Sequence, residues 1–190
     1  MEMPMHIGKL KCLQTLTKFV ISKRTGCSIR ELGKLANLQG ALSILDLENV
    51  ESFNDAKGAS LRNKTDLKVL ELNWKEGSNT KISESQSNVI NGLQPHRNLN
   101  SLTIMYYMGG RFPNWVGDHS FSKVTSIHLE KCQYCSSLPA LGLLPSLQNL
   151  SIVGFDGIVN VGEEFYGSTG SSSIKPFGAL KVLKFEQMLN

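Results

Sequence analysis

Leu67-Lys68-Val69-Leu70-Glu71-Leu72 is the stretch on which the fold turns. Its leucines stand at the first, fourth and sixth places, and the same beat returns along the chain. It reappears as Leu99-x-x-Leu102-x-Ile104, Val124-x-x-Ile127-x-Leu129, Leu147-x-x-Leu150-x-Ile152 and Leu180-x-x-Leu183-x-Phe185. A looser copy, Leu38-x-x-x-Leu42-x-Ile44, precedes these. The most degenerate comes first, Leu10-x-x-Leu13-x-x-Leu16, with Lys18 at the place of the second strand apolar. Residues two apart on a strand share a face, so Leu70 and Leu72 point inward and Glu71 outward. One such strand cannot hide its apolar face alone, whereas stacked copies build a continuous core.

The first residue of each apolar-x-apolar pair lies at 42, 70, 102, 127, 150 and 183, giving gaps of 28, 32, 25, 23 and 33. Leucine-rich repeats run about 20–29 residues, so two gaps carry insertions. The expected fold is α/β: a leucine-rich-repeat solenoid forming one domain over residues 1–190, with six to seven irregular repeats. Parallel strands about 4.8 Å apart against return paths up to about 10 Å wide curve the stack and make the strand face concave. Short helices and irregular loops fill the convex side. After each strand comes Leu47, Trp74, Tyr107, Cys132, Phe155 or Met188. Only Cys132 matches the Asn or Cys of the repeat consensus, so burial of large side chains must hold the other turns. Ser52-Phe53-Asn54-Asp55 with Ala56, Ala59 and Leu61 reads as a capped helix ending near Asn63 or Lys64. Ser83 to Leu93 reads as a second, after a polar loop from Gly77. Arg111 to Trp115 and Ser137-Leu138-Pro139 suggest extended or 3₁₀ crossings. Gly167 to Ser173 reads as a Gly/Ser insertion.

Composition narrows the function classes. A hydrophobic share of 41% with 19% charged residues is that of an ordered globular protein. The net charge of +4 is small and its cations scattered, without the massed footprint of a nucleic-acid binder. No stretch approaches the roughly 20 apolar residues of a membrane span, and residues 1–6 lack the pattern of a secretory signal. Cys132 and Cys135 form a C-x-x-C, but Cys12 and Cys27 are not spaced as the second pair a structural zinc site wants. Packed, reduced thiols are expected, with no metal. The histidines are dispersed, and Glu163-Glu164 reads as a solvated turn, so no catalytic constellation is expected.

The chain resembles, along nearly its whole length, the repeat region of coiled-coil-type plant nucleotide-binding, leucine-rich-repeat (NLR) disease resistance proteins. The resemblance rests on Ile7-Gly8-Lys9-Leu10-x-x-Leu13-Gln14-Thr15-Leu16, Leu47-Glu48-Asn49-Val50, Leu67-x-x-Leu70-x-Leu72-x-Trp74, Phe112-Pro113-x-Trp115, and Cys132-x-x-Cys135-x-x-Leu138-Pro139-x-Leu141-Gly142. Gly162-x-Glu164-Phe165-Tyr166-Gly167 and Pro176-Phe177-x-x-Leu180 follow in the family's order. The resemblance implies a cytoplasmic receptor whose repeats sense a pathogen effector or a guarded host protein and restrain the receptor's own nucleotide-binding domain. The phosphate-binding pattern of that domain is missing, so ADP or ATP is expected only in a domain this chain lacks. The chain is expected to be a fragment, with no cofactor, no nucleic-acid partner and no membrane span. The alternative is the ectodomain of a cell-surface or secreted repeat protein, for which the regular 24-residue signature and capping cysteine pairs are missing.

The expected binding surface is the set of outward positions on the strand face. The candidates are Asp46; Lys68, Glu71 and Asn73; Thr103, Met105 and Tyr106; His128, Glu130 and Lys131; Gln148 and Ser151; Lys184 and Glu186. Tyr106, His128 and Met105 lead, because aromatic and adaptable side chains dominate interface energetics. Trp74 and Trp115 are read as core residues rather than ligand contacts.

Overall fold

The computed structural model describes residues 3–24, 26–77, 84–158, 161–167 and 175–188. Its strands are β1 (Lys18–Val20), β2 (Gly40–Leu45), β3 (Leu67–Asn73), β4 (Ser101–Met105), β5 (Ser126–Glu130), β6 (Asn149–Val153) and β7 (Val182–Glu186). They form one parallel sheet in chain order. Each connection therefore leaves the sheet, crosses its outer side and returns one strand further on, which is the path of a solenoid.

The repeat pattern sets the register. Leu42, Leu70, Leu102, Ile127, Leu150 and Leu183 stand side by side. Phe19, Ile44, Leu72, Ile104, Leu129, Ile152 and Phe185 form the next inward row. Through Ile152 that second row is wholly buried, each side chain contributing about 1.5–3 kcal/mol. A third row of Leu47, Trp74, Tyr107, Cys132 and Phe155 is equally buried. Trp74 meets Tyr107 edge-on at 5.1 Å between centroids, and Phe112 lies 5.6 Å from Tyr107 and 6.2 Å from Phe155. Large side chains thus fill the turn that a polar residue closes in regular repeats. The indole N–H of Trp74 donates to Gln86 Oε1 at 2.6 Å and that of Trp115 to the Ile90 carbonyl at 3.2 Å, so both rings are buried with their polar atom satisfied.

On the outer side lie α1 (Arg30–Gly33), α2 (Phe53–Lys57), α3 (Glu84–Gly92) and α4 (Glu163–Tyr166), with 3₁₀ turns between them. Ser52 caps α2, its hydroxyl accepting the Asp55 N–H at 3.1 Å. The helix ends at Lys57, earlier than the sequence led one to expect. Ser60 takes a left-handed φ of 52° and a 3₁₀ turn, Leu61–Asn63, follows, which turns Leu61 into the core. The expected crossings at Pro113 and Pro139 lead into 3₁₀ turns at Asn114–Gly117 and Leu141–Leu143. Consecutive crossings touch: a Cβ on Gly142 would stand 2.5 Å from the Tyr166 carbonyl oxygen. Residues 78–83, including the expected helix start at Ser83, and the Gly/Ser insertion from 168 on lie outside the described residues.

The first repeat corrects the sequence reading. Phe19, not Lys18, points inward, opposite Ile44, and Lys18 lies outward opposite Ser43. Because side chains alternate, this one-residue change of phase exchanges the two faces. A second surprise is Lys64, only 1% exposed, whose Nζ donates to the carbonyls of Leu32 at 2.8 Å and Leu35 at 2.6 Å. The ammonium thus bonds one carbonyl of the last turn of α1 and one just past its end, in the preceding coil. Burial pushes its pKa down to about 8.

Candidate functional site

Between the inward residues, every strand offers outward positions that align across the sheet. Ser43, Glu71, Thr103, His128, Ser151 and Lys184 form one row. Leu45, Asn73, Met105, Glu130, Val153 and Glu186 form the next, one turn of the pleat further on. From β2 to β6 the members of both rows are half-buried, as expected where side chains stand shoulder to shoulder about 4.8 Å apart. Neighbours pair across strands. Ser43 Oγ donates to Glu71 Oε2 at 3.0 Å, and Asn73 Nδ2 donates to Glu71 Oε1 at 3.4 Å and meets Met105 Sδ at 3.6 Å. His128 Nε2 lies 3.0 Å from Glu130 Oε2 on the same strand.

The remaining candidates fall at the two rims. Asp46, Tyr106 and Lys131 follow their strands and take left-handed φ values of 59°, 57° and 51°, with Gly154 and Gln187 at the same place in later coils. That conformation costs an L-residue about 1–2 kcal/mol, and it bends the chain so that the next residue re-enters the core. The coil of β3 omits the bend: Trp74 follows Asn73 directly, and its N–H takes the ladder position, donating to the Met105 carbonyl at 3.1 Å. Lys131 Nζ reaches Glu76 at 2.7 Å and lies 5.3 Å from the Tyr106 ring centroid. Glu76 holds this ammonium above its ordinary pKa. Glu76, Gly77, Tyr106, Lys131 and Tyr134 surround a hollow of about 200 Å³.

Lys68 and Gln148 lie at the opposite rim, where strands begin. The Asn100 N–H donates to the Lys68 carbonyl at 2.8 Å, and the ladder continues through Thr125 and Gln148 to Lys181. The structure therefore brings Glu71, Asn73, Thr103, Met105, His128, Glu130, Ser151, Lys184 and Glu186 onto one face. Asp46, Tyr106 and Lys131 border it on one side and Lys68 and Gln148 on the other.

Residues 29–155, more than half of the chain, match the family model for R13L1/DRL21 LRRs. The chain belongs to this family of leucine-rich repeats. It is 40% identical over 182 residues, 90% of its length, to the disease resistance RPP13-like protein 1 of Arabidopsis thaliana. It is 37% identical over 145 residues, 76% of its length, to the disease resistance protein RGA2 of Solanum bulbocastanum. The chain spans about one sixth of the length of these relatives, 17% and 15%. No solved structure matches it significantly.

Within this R13L1/DRL21 repeat region the buried thiols of Cys132 and Cys135 lie against backbone carbonyls. Cys132 Sγ lies 3.4 Å from the Glu130 carbonyl and Cys135 Sγ 3.2 Å from that of Gly109, and burial pushes the Cys132 thiol up to about 12 and raises Cys135 as well. Among the described residues, no three His, Cys, Asp or Glu side chains are grouped to hold a metal ion, and no helix is long and apolar enough to cross a membrane. The geometry offers contact chemistry: aligned polar, aromatic and thioether side chains on a rigid support. Sequence reasoning missed the bend at the strand ends, since only Gly154 advertises a left-handed residue, and it missed Glu76, whose link to Lys131 spans 55 positions.

Proposed function

We propose that the strand face of this chain is the protein-recognition surface of a plant intracellular immune receptor. In this reading it senses a pathogen effector or a guarded host protein and restrains the receptor's nucleotide-binding switch. The supporting observation is the unbroken ladder of outward side chains from Ser43 to Lys184 on one parallel sheet. A buried core holds each backbone position, so binding need order only side chains. Met105 and His128, on the adjacent central strands β4 and β5, and Tyr106, at the rim next to Met105, serve as the anchors, as adaptable and aromatic groups do in other interfaces.

The test is leaf expression of the complete receptor carrying the substitutions M105A, Y106A and H128A together. The defence response to the matching pathogen should be lost if this face senses the effector, or should appear without pathogen if it holds the switch. An unchanged response at equal protein accumulation overturns the reading. Substitution of the convex residues Asn88 and Asn91 to alanine is the control, expected to leave the response intact.

A further inference from the structure

The rim of the strand face where strands begin carries a series of cations. Along this rim the segments that lead into β1, β3, β4, β5 and β7 contribute Lys11, Arg62 and Lys68, Arg97, Lys123 and Lys181. Hydrogen bonds between coils place most of this rim in one continuous line. Asn37 Nδ2 donates to the Lys11 carbonyl at 2.9 Å, Asn98 Nδ2 to the Thr65 carbonyl at 3.1 Å, and Lys123 Nζ to Asn98 Oδ1 at 2.9 Å. The carboxylates nearby are Asp66, beside Lys68 in sequence, and Asp118, close enough to Arg97 to feel its charge. Midway along the rim is a depression of about 380 Å³ lined by Arg62, Gln94, Pro95, His96 and Arg97, with no carboxylate among them. Both arginines are exposed. His96 Nδ1 accepts the Asn98 N–H at 3.1 Å, so a neutral ring carries its proton on Nε2, as a further donor.

We propose that this rim is a second interaction surface, taking an acidic protein segment whose carboxylates seat between Arg62 and Arg97 and run on toward Lys68 and Lys123. Two guanidinium forks and an imidazole donor in a depression free of carboxylates suit planar carboxylates, which arginine binds through paired N–H groups. The side-chain amides of Gln94, Asn98 and Asn100 along the same line can pair with a peptide backbone. A single-stranded nucleic acid would need a series of aromatic platforms for its successive bases, and the residues named on this rim supply one ring, the His96 imidazole. This surface is separate from the strand face and stands independently of the function proposed for it.

The experiment is fluorescence anisotropy of the full chain with a fluorescein-labelled peptide of alternating Glu and Gly. A lysine peptide, a single-stranded oligonucleotide of equal charge and phosphatidylserine vesicles run alongside. The acidic peptide should bind, more weakly as salt rises. Arg62→Glu with Arg97→Glu should weaken it by roughly ten-fold or more, while Lys23→Glu with Lys75→Glu, beyond the strands' other ends, should change it by less than about two-fold. If the reversed pair fails to fold, Arg62→Gln with Arg97→Gln carries the same expectation. No binding of the acidic peptide, equal losses in the two double variants, or stronger binding of the oligonucleotide or the vesicles overturns the proposal.

Discussion

Strands β6 and β7 carry the same motif and lie side by side, yet they differ in what the solenoid does with them. Leu150 is 1% exposed, whereas its ladder partner Leu183 is 49% exposed. Ile152 is fully buried and Phe185 is 40% exposed. The two strands share spacing, residue type and register. What differs is cover: β6 is sandwiched between β5 and β7, while among the described residues β7 has only β6 beside it in the sheet. In a quasi-one-dimensional fold a coil's stability comes largely from its two neighbours. Beside β7 that second cover is missing among the described residues, whereas Phe19 on the other edge strand, β1, stays wholly buried, with Leu13 and Leu16 packed against the same core. The same contrast appears within one repeat for a charged residue, between Lys64, buried under α1, and Lys68, four positions later at the rim.

The largest expected effect is at the covered strand. Leu150→Ala should cost about 2–5 kcal/mol, as large-to-small changes in a closed core do, read as a shift of the urea midpoint. The comparison breaks if Leu183→Ala costs the same. Next comes Lys64→Met, which keeps the stem but takes the ammonium away from the Leu35 carbonyl and leaves that of Leu32 with the Leu35 N–H alone, a loss of roughly 1–3 kcal/mol. Its signature is in pH. The unfolded chain keeps this proton up to the ordinary value of 10.5, and the folded chain releases it near 8. Between those values the unfolded state binds more protons, so raising the pH favours folding through this group. The stability of the parent relative to Lys64→Met should therefore be flat below about pH 8 and rise toward pH 10.5. The Cys132 thiol and the Tyr107 phenol, both pushed up by burial, act the other way. For that reason the difference between the two proteins is the measurement, rather than either curve alone.

Leu183→Ala should cost about 1 kcal/mol or less, since half of its surface is already in water. Ser151→Ala, outward beside Leu150, should stay within about 0.5 kcal/mol. Leu150 and Ser151 are adjacent in sequence, so similar midpoints for their alanine variants would refute the assigned strand phase without reference to any other coil.

Much of this was legible in the residues. Leucines at intervals of three and two announce inward and outward positions wherever the motif is regular, and the candidates on β3 to β6 landed on the face or at its rims. The first repeat was not legible, because neither Leu16-x-Lys18 nor Thr17-x-Phe19 is a good strand pair. Pairing with β2 chose the second by placing Phe19 against Ile44. The helix after Ser52 stops at Gly58, short of the end the apolar residues suggested, because Ser60 takes a conformation serine rarely adopts and carries Leu61 into the core by a separate 3₁₀ turn. Lys64 gave no sign of burial, since its two acceptors lie 29 and 32 positions earlier.

Alternation along a strand is a local property, written in nearest neighbours, and so from β2 to β7 the sequence alone settled which side chains face in and what face they present. Depth is not local. Which leucines lose their water, which lysine is enclosed and which cations gather along one rim depend on residues some 25 to 33 positions away being laid alongside, and only the folded stack brings them there.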